Sequence, residues 1–587
     1  MNYFTYDKKG FLLNGEPFRV VAGAMHYFRV PREYWRDRLL KIKACGFNTI
    51  ETYTAWNLHE PEEGKFDFSG DLDLQAYLEL INELGMFAIV RPGPYICSEW
   101  EFGGFPWWLL KYDDIHLRCM DELYLAKVGS YFDKLMPVIA SCQTDVGGCV
   151  IMVQVENEYG SYGNDSVYIN YLADMMRNRG ITSVLFTSDG GNDTMLSGGT
   201  VPGILKTCNF GSNPSGNFKA LRKFQPDGPI MCAEYWNGWF DHWGEKHHHR
   251  SADDAAKCLD DILKCGASVS VYMMHGGTNF GFMNGANCSG EEYQPTINSY
   301  DDDAPINEYG ALTPKYFAIK KVLADHGFVN DIEVSDPVTA AYGTLKFTRS
   351  ADLVDLIPDI AEPVESVEPL PMEKLGQGYG MVYYSAFIKG PKEKETLNMT
   401  VHDRAYVFLD NKLIGIQYRN DSHSKISIKI PKQGAEIGIL VDNMGRTNYG
   451  PMLADKKGII GSVMLGQQHI YHWKNYCLPL STDAVFDCNY DDMYTAEAKR
   501  PAVFSAEFEI KGSPADTFVL TEKFKKGLIW VNGRLLSRYW HIGPQKTAYL
   551  PAVWLNEGKN TLTLLELEGA GRNSSVELAA VPDIGLK

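Results

Sequence analysis

The chain has 587 residues, too many for one hydrophobic core, and its 45% apolar and 22% charged content is that of an ordinary globular protein with several domains. Acidic residues number 74 against 56 basic ones, a formal charge of −18, which argues against nucleic acid or an anionic membrane as partner because both need basic surface. No apolar run approaches the roughly 20 residues that cross a bilayer, and the segment Met1 to Gly10 has no apolar signal core, so a cytoplasmic protein is expected unless a leader was removed.

Apolar strands alternate with amphipathic helices through about the first 330 residues, the pattern of a parallel α/β sheet. Val20 to Met25 reads as a strand, and a helix over about 32–45 is closed by Gly46. Asn48 to Tyr53 is the second strand, and a helix over about 71–84 stops at Gly85. Further strands are predicted at Phe87–Arg91, Val150–Val155, Val184–Asp189, a weaker Leu205–Asn209, Pro229–Ala233 and Ser268–Met274. Eight such units predict an α/β TIM (β/α)8 barrel over 1–335, with catalysis at the C-terminal ends of its strands. Past 335 the helix signals fade and short strands alternate with Gly, Asn, Asp and Pro, predicting all-β sandwich domains over 336–485 and 486–587. The strand, turn and strand of Val407 to Gly415 recur loosely at Ile529 to Ser537, so the two modules read as related. The acidic, proline-rich stretch 351–375 reads as a linker or edge segment.

Two glutamates stand out. Glu158 follows the fourth strand and Glu234 the seventh, so both are expected at the barrel mouth. A carboxylate at the end of a buried strand costs desolvation energy unless it is paired or used. Two of them beside tryptophans point to a glycosidase, the alternatives being a structural ion pair or a metal site. Twelve cysteines show no CxxC pair or other metal spacing and read as buried free thiols; His247, His248 and His249 read as a solvated loop. No metal and no cofactor are expected.

At this point the ordered motifs carry a resemblance. Gly23 to Pro31, Glu51 to Pro61, Arg91 to Glu101, Glu156 to Gly160, the Glu234 segment and Gly276 to Phe280 are similar to the β-galactosidases of glycoside hydrolase family 35. The short chain without a signal core resembles the bacterial intracellular members. The resemblance implies a retaining, exo-acting hydrolysis of terminal β-galactose from oligosaccharides, β-1,3-linked ends among them. It makes Glu158 the general acid/base and Glu234 the nucleophile, with Glu156 as the rival acid. Tyr53 and Glu99 would hydrogen-bond ring hydroxyls, the backbone at Cys97 and Ser98 would contact the sugar, and Asn157 would hold the 2-hydroxyl. Trp236 and Trp239 would stack on the leaving sugar, and Tyr449, on a loop of the middle module, would lean over the mouth. Galactose-binding-like and jelly-roll character for the β modules, and a homodimer, are implied in the same way. Two positions depart from the family pattern. Asp302 stands where a tyrosine is usual, with Tyr300 a possible substitute, and Ser98 replaces an alanine. The Asp302 change motivates an alternative: a transglycosidase, or a hydrolase of another β-pyranoside.

Overall fold

The computed structural model describes residues 2–290, 292–300, 303–421, 425–486, 499–571 and 574–585. Asp302 lies outside the described residues. Strands β1 (Val21–Ala24), β2 (Thr49–Tyr53), β3 (Phe87–Arg91), β4 (Val150–Gln154), β5 (Val184–Gly190), β6 (Leu205–Phe210), β7 (Met231–Trp236) and β8 (Ser268–Tyr272) close into a barrel in sequential order. Every pairing is parallel, as helical crossovers require. Strands covered on both faces need continuous apolar runs, and β2, β4 and β8 are buried along their whole length.

The expected helix stops are present. The helix Trp35–Cys45 ends at Gly46, whose φ of 116° is left-handed. The helix Leu74–Glu83 starts on Asp73, which accepts from the Ala76 amide. Phe4 and Phe11 of an N-terminal hairpin join Val20, Ala22, Met152 and Met231 in one apolar cluster. That cluster fills the N-terminal end of the barrel and leaves chemistry to the opposite mouth.

In the middle module, a six-stranded sheet faces a four-stranded one across a core containing Val382, Leu397, Ile437 and Ile459. In the last module, a five-stranded sheet faces a four-stranded one across Phe504, Val519, Ile529 and Leu562. The weak repeat corresponds to one hairpin used twice. Arg404–Leu409 with Lys412–Tyr418, and Lys526–Val531 with Arg534–Trp540, each occupy the same edge of their sheets. Left-handed residues form both turns, Asp410 and Asn411 in one and Asn532 and Gly533 in the other.

One feature differs from the expected boundaries. Strands Gly343–Lys346 and Arg349–Asp352, inside the stretch assigned to the middle module, pair with Ser575–Ala579 and Ala502–Ile510 of the last one. The chain lays down two strands of the last module before it builds the middle one; local pattern cannot reveal such distant pairing. Within 351–375, Leu353–Ile360 is a helix on an Asp352 cap and Pro363–Ser366 is a strand, so much of this stretch is built structure.

The middle module is fastened to the barrel mouth. Barrel strands Ala286–Ser289 and Glu292–Pro295 form a three-stranded sheet with Thr447–Tyr449. Next to it, buried Arg446 pairs with Glu101 of the barrel at 2.9 Å and with Glu373 at 2.6 Å. Tyr449 is thereby held over the strand ends.

Candidate active site

A pocket of about 230 Å³ opens at the C-terminal mouth. Glu158, Glu234 and nine other residues singled out from sequence line it: Tyr53, Cys97, Ser98, Glu99, Asn157, Trp236, Trp239, Tyr300 and Tyr449. These come from five barrel-mouth segments and one loop of the middle module, which the fold alone assembles.

Glu234 is buried on β7 and ringed by donors. Arg91 Nη2 donates to Oε1 at 2.5 Å and Trp236 Nε1 donates to Oε2 at 3.0 Å. Tyr53 Oη lies 2.9 Å from Oε1 and 2.8 Å from Asn157 Oδ1, so its single proton serves one or the other. Arg91 and Trp236 thus fix the orientation of the Glu234 carboxyl.

Glu158 has a different setting. Among the described residues, its one side-chain donor is Asn209 Nδ2, at 3.0 Å. Burial pushes its carboxyl up to about 8, and the nearby Glu234 charge adds to the rise. The loop carrying it hangs on β5: the Glu158 amide donates to Ser188 O at 3.1 Å and the Gly160 amide to Asp189 Oδ1 at 2.8 Å. Glu158 thus sits where its protonated form is favoured, beside a Glu234 held by an arginine.

Glu156 cannot share that task. Both Glu156 and Glu158 have left-handed backbone, so the chain does not extend between them. Glu156 turns away into a bidentate pair with Arg118 (2.9 and 2.7 Å) and also accepts from Tyr168 Oη and the Asn157 amide. It does not line the pocket.

Cys97, Ser98 and Glu99 occupy three consecutive left-handed conformations, each costing of order 1–3 kcal/mol for a non-glycine residue. The turn is held from outside. Arg29 donates to both Ser98 oxygens, at 2.8 Å for Oγ, and Asn448 Nδ2 donates to Cys97 Sγ at 3.4 Å. Glu99 accepts from Tyr300 Oη at 2.5 Å, while burial lifts its carboxyl to about 7. Asn157 Oδ1 lies in reach of three donors, from Tyr53, Arg91 and Gln154, which fixes its amide orientation.

Trp236 is half-buried and packs against the barrel core, whereas Trp239 is exposed. Trp239 is 44% exposed and meets Trp236 edge-on with ring centres 5.6 Å apart. Trp236 also braces Glu234, a role that stacking arguments do not suggest. Tyr449 is 42% exposed.

Sequence reasoning missed several residues of the site. Arg91 bridges Glu234 and Glu51 from the end of β3; a charged residue closing an otherwise apolar strand was the available signal. Tyr272, which lines the pocket and lies 3.0 Å from the Tyr300 hydroxyl, likewise ends a barrel strand. Asn209, Asn287 and Met195 carried no local signal.

Of the histidine triplet expected in a solvated loop, His248 and His249 are exposed and only His247 departs. His247 is nearly buried and, with His248, binds Asp241; His249 binds Asp303. Among the described residues, no group of three or more His, Cys, Asp or Glu side chains has metal-holding geometry. Most of the described cysteines are buried free thiols.

Residues 10–326 match the family model "Glycosyl hydrolases family 35". Residues 369–479 match "Beta-galactosidase, first all-beta domain", and 501–560 match "Beta-galactosidase, galactose-binding domain". Human "Beta-galactosidase-1-like protein 3" is 41% identical over 574 residues, covering 95% of this chain and 86% of its own. Human "Beta-galactosidase" is 41% identical over 612 residues, covering 98% and 89%. The bovine "Beta-galactosidase" is 39% identical over 597 residues, covering 96% and 90%.

Proposed function

Because this chain belongs to glycosyl hydrolase family 35, we propose that it is a retaining exo-β-galactosidase acting on the non-reducing ends of oligosaccharides. The observation that carries this reading is the unequal treatment of two carboxyls in one pocket. Glu234 is held ready by Arg91, Tyr53 and Trp236, whereas Glu158 keeps its proton up to about pH 8.

In the first step, the Glu234 carboxylate attacks the anomeric carbon. The bond to the leaving oxygen breaks, and that oxygen takes the Glu158 proton. In the second, Glu158, now a base, removes a proton from water. The hydroxide displaces Glu234 from the glycosyl ester, and the anomeric configuration is restored. Tyr53, Glu99, Asn157, Tyr300 and the Cys97–Ser98 backbone surround the place where the ring would sit, and their polar groups suit its hydroxyls. Trp236, Trp239 and Tyr449 offer aromatic faces to the leaving group. Glu99 and Tyr300, hydrogen-bonded to each other, line the pocket and suit a terminal sugar.

A panel of chromogenic β-galactoside, β-glucoside and β-glucosaminide, with products followed by NMR, tests the reading. Galactoside should be preferred and β-galactose should be the first product. Initial release of α-galactose, or preference for another sugar, would overturn it.

A further inference from the structure

A second chamber, of about 580 Å³, adjoins the pocket; it lies within the range of about 300–1,000 Å³ typical of ligand sites. Ser161, Asn287 and Tyr449 line both cavities, so they form the neck between them. Strand register sets that neck: Asn287 of the barrel hairpin pairs with Tyr449 of the middle module. Asn287 Oδ1 is buried with no hydrogen-bond partner among the described residues, an acceptor that a ligand hydroxyl would satisfy.

The lining beyond the neck suits a neutral sugar. Tyr162 supplies aromatic surface, Gln294 an amide and Ser289 a hydroxyl. Tyr162 is 42% exposed, with the Arg118 guanidinium 4.3 Å from its ring centre. Arg118 is the chamber's one lining cation, and its bidentate pair with Glu156 already neutralises it. An anionic group would therefore find no unpaired positive charge there.

We propose that this chamber binds the second sugar of the leaving group. On the β-galactosidase reading, on which this rests, the preferred substrates carry at least two neutral sugar units beyond the galactose. The chamber adds binding energy away from the reacting bond and leaves the chemistry of the pocket unchanged.

The test measures kcat/KM of the full chain on a β-galactosyl disaccharide and on the trisaccharide that extends it by one neutral sugar at the reducing end. The trisaccharide should be favoured about tenfold, or about 1.4 kcal/mol of extra binding. Tyr162→Ala should erase most of that advantage while leaving the disaccharide within about twofold. Gln294→Ala, a smaller change less able to disturb folding, should reduce the advantage in part. Equal kcat/KM for both substrates in the wild-type chain would overturn the chamber's role while leaving the activity standing. Cleavage of neither would overturn the activity and the chamber together.

Discussion

Glu158 and Glu234 are the same residue type in one pocket, and their neighbours differ: an arginine and a tryptophan donate to Glu234, an asparagine to Glu158. Glu234→Gln should abolish turnover with the fold intact, because an amide cannot form the glycosyl ester; steady-state assays and circular dichroism check this. A variant keeping a tenth of the wild-type rate would remove Glu234 from the nucleophile role. Glu158 donates only while protonated, so kcat/KM on substrates with poor leaving groups should fall as pH rises through about 8. Glu158→Ala should remove that limb. It should slow oligosaccharides by at least 10²-fold and activated aryl galactosides far less in the first step. Added azide should restore the second step and give a β-galactosyl azide. Equal losses on both substrates, with no effect of azide, would exclude Glu158 as the acid.

At the scale of elements, the site depends on a strap between modules. Buried Arg446 ties Glu101 to Glu373, and the strand Thr447–Tyr449 follows at once. Contact is tight enough that a Cβ on Gly285 would come within 2.3 Å of Asn448 Oδ1. Arg446→Met leaves two buried carboxylates without their cation, a change that typically costs about 3–5 kcal/mol. Denaturant melts should show a loss of that order, and KM for oligosaccharides should rise more than kcat falls as Tyr449 shifts. Unchanged stability would mean that the strap contributes little. The hairpins and helix caps of these elements were legible locally, because glycine, asparagine and aspartate mark their own turns. The partner of Gly343–Lys346 was not, because strand pairing across 230 residues leaves no mark in either strand.

For the whole molecule, buried titratable groups set the pH range of stability. Burial depresses His59 to about 4 and His275 to about 3, below the ordinary 6.5. Only the unfolded chain then binds those protons, so the histidines' contribution to stability falls as pH drops below about 6.5. Burial raises Asp189, Glu99 and Glu566 to about 7 and Glu158 to about 8. These carboxyls favour the fold while protonated, and that contribution is lost as pH rises from their unfolded range of about 4 through their folded values. The four carboxyls outweigh the two histidines, so the Tm should fall between about pH 5 and 8 and level off above that. Scanning fluorimetry from pH 5 to 9 checks it, and a Tm that rises between about pH 5 and 8 would count against these assignments.

The sequence by itself determined the barrel. Apolar runs of strand length, separated by helices that stop at Gly46 and Gly85, obey rules that act over a few residues. It also marked Glu158 and Glu234, since charge at the end of a buried strand is costly and therefore conspicuous. The tertiary structure decided how differently the two carboxyls are held, because Arg91, Trp236 and Asn209 reach the pair from three different strands. It separated Glu158 from Glu156 through left-handed turns that spacing does not encode, and it brought Tyr449 to the mouth from some 290 residues beyond Glu158. Local backbone preference can be read along the chain, whereas the field at a carboxylate depends on distances through space that only the closed barrel creates.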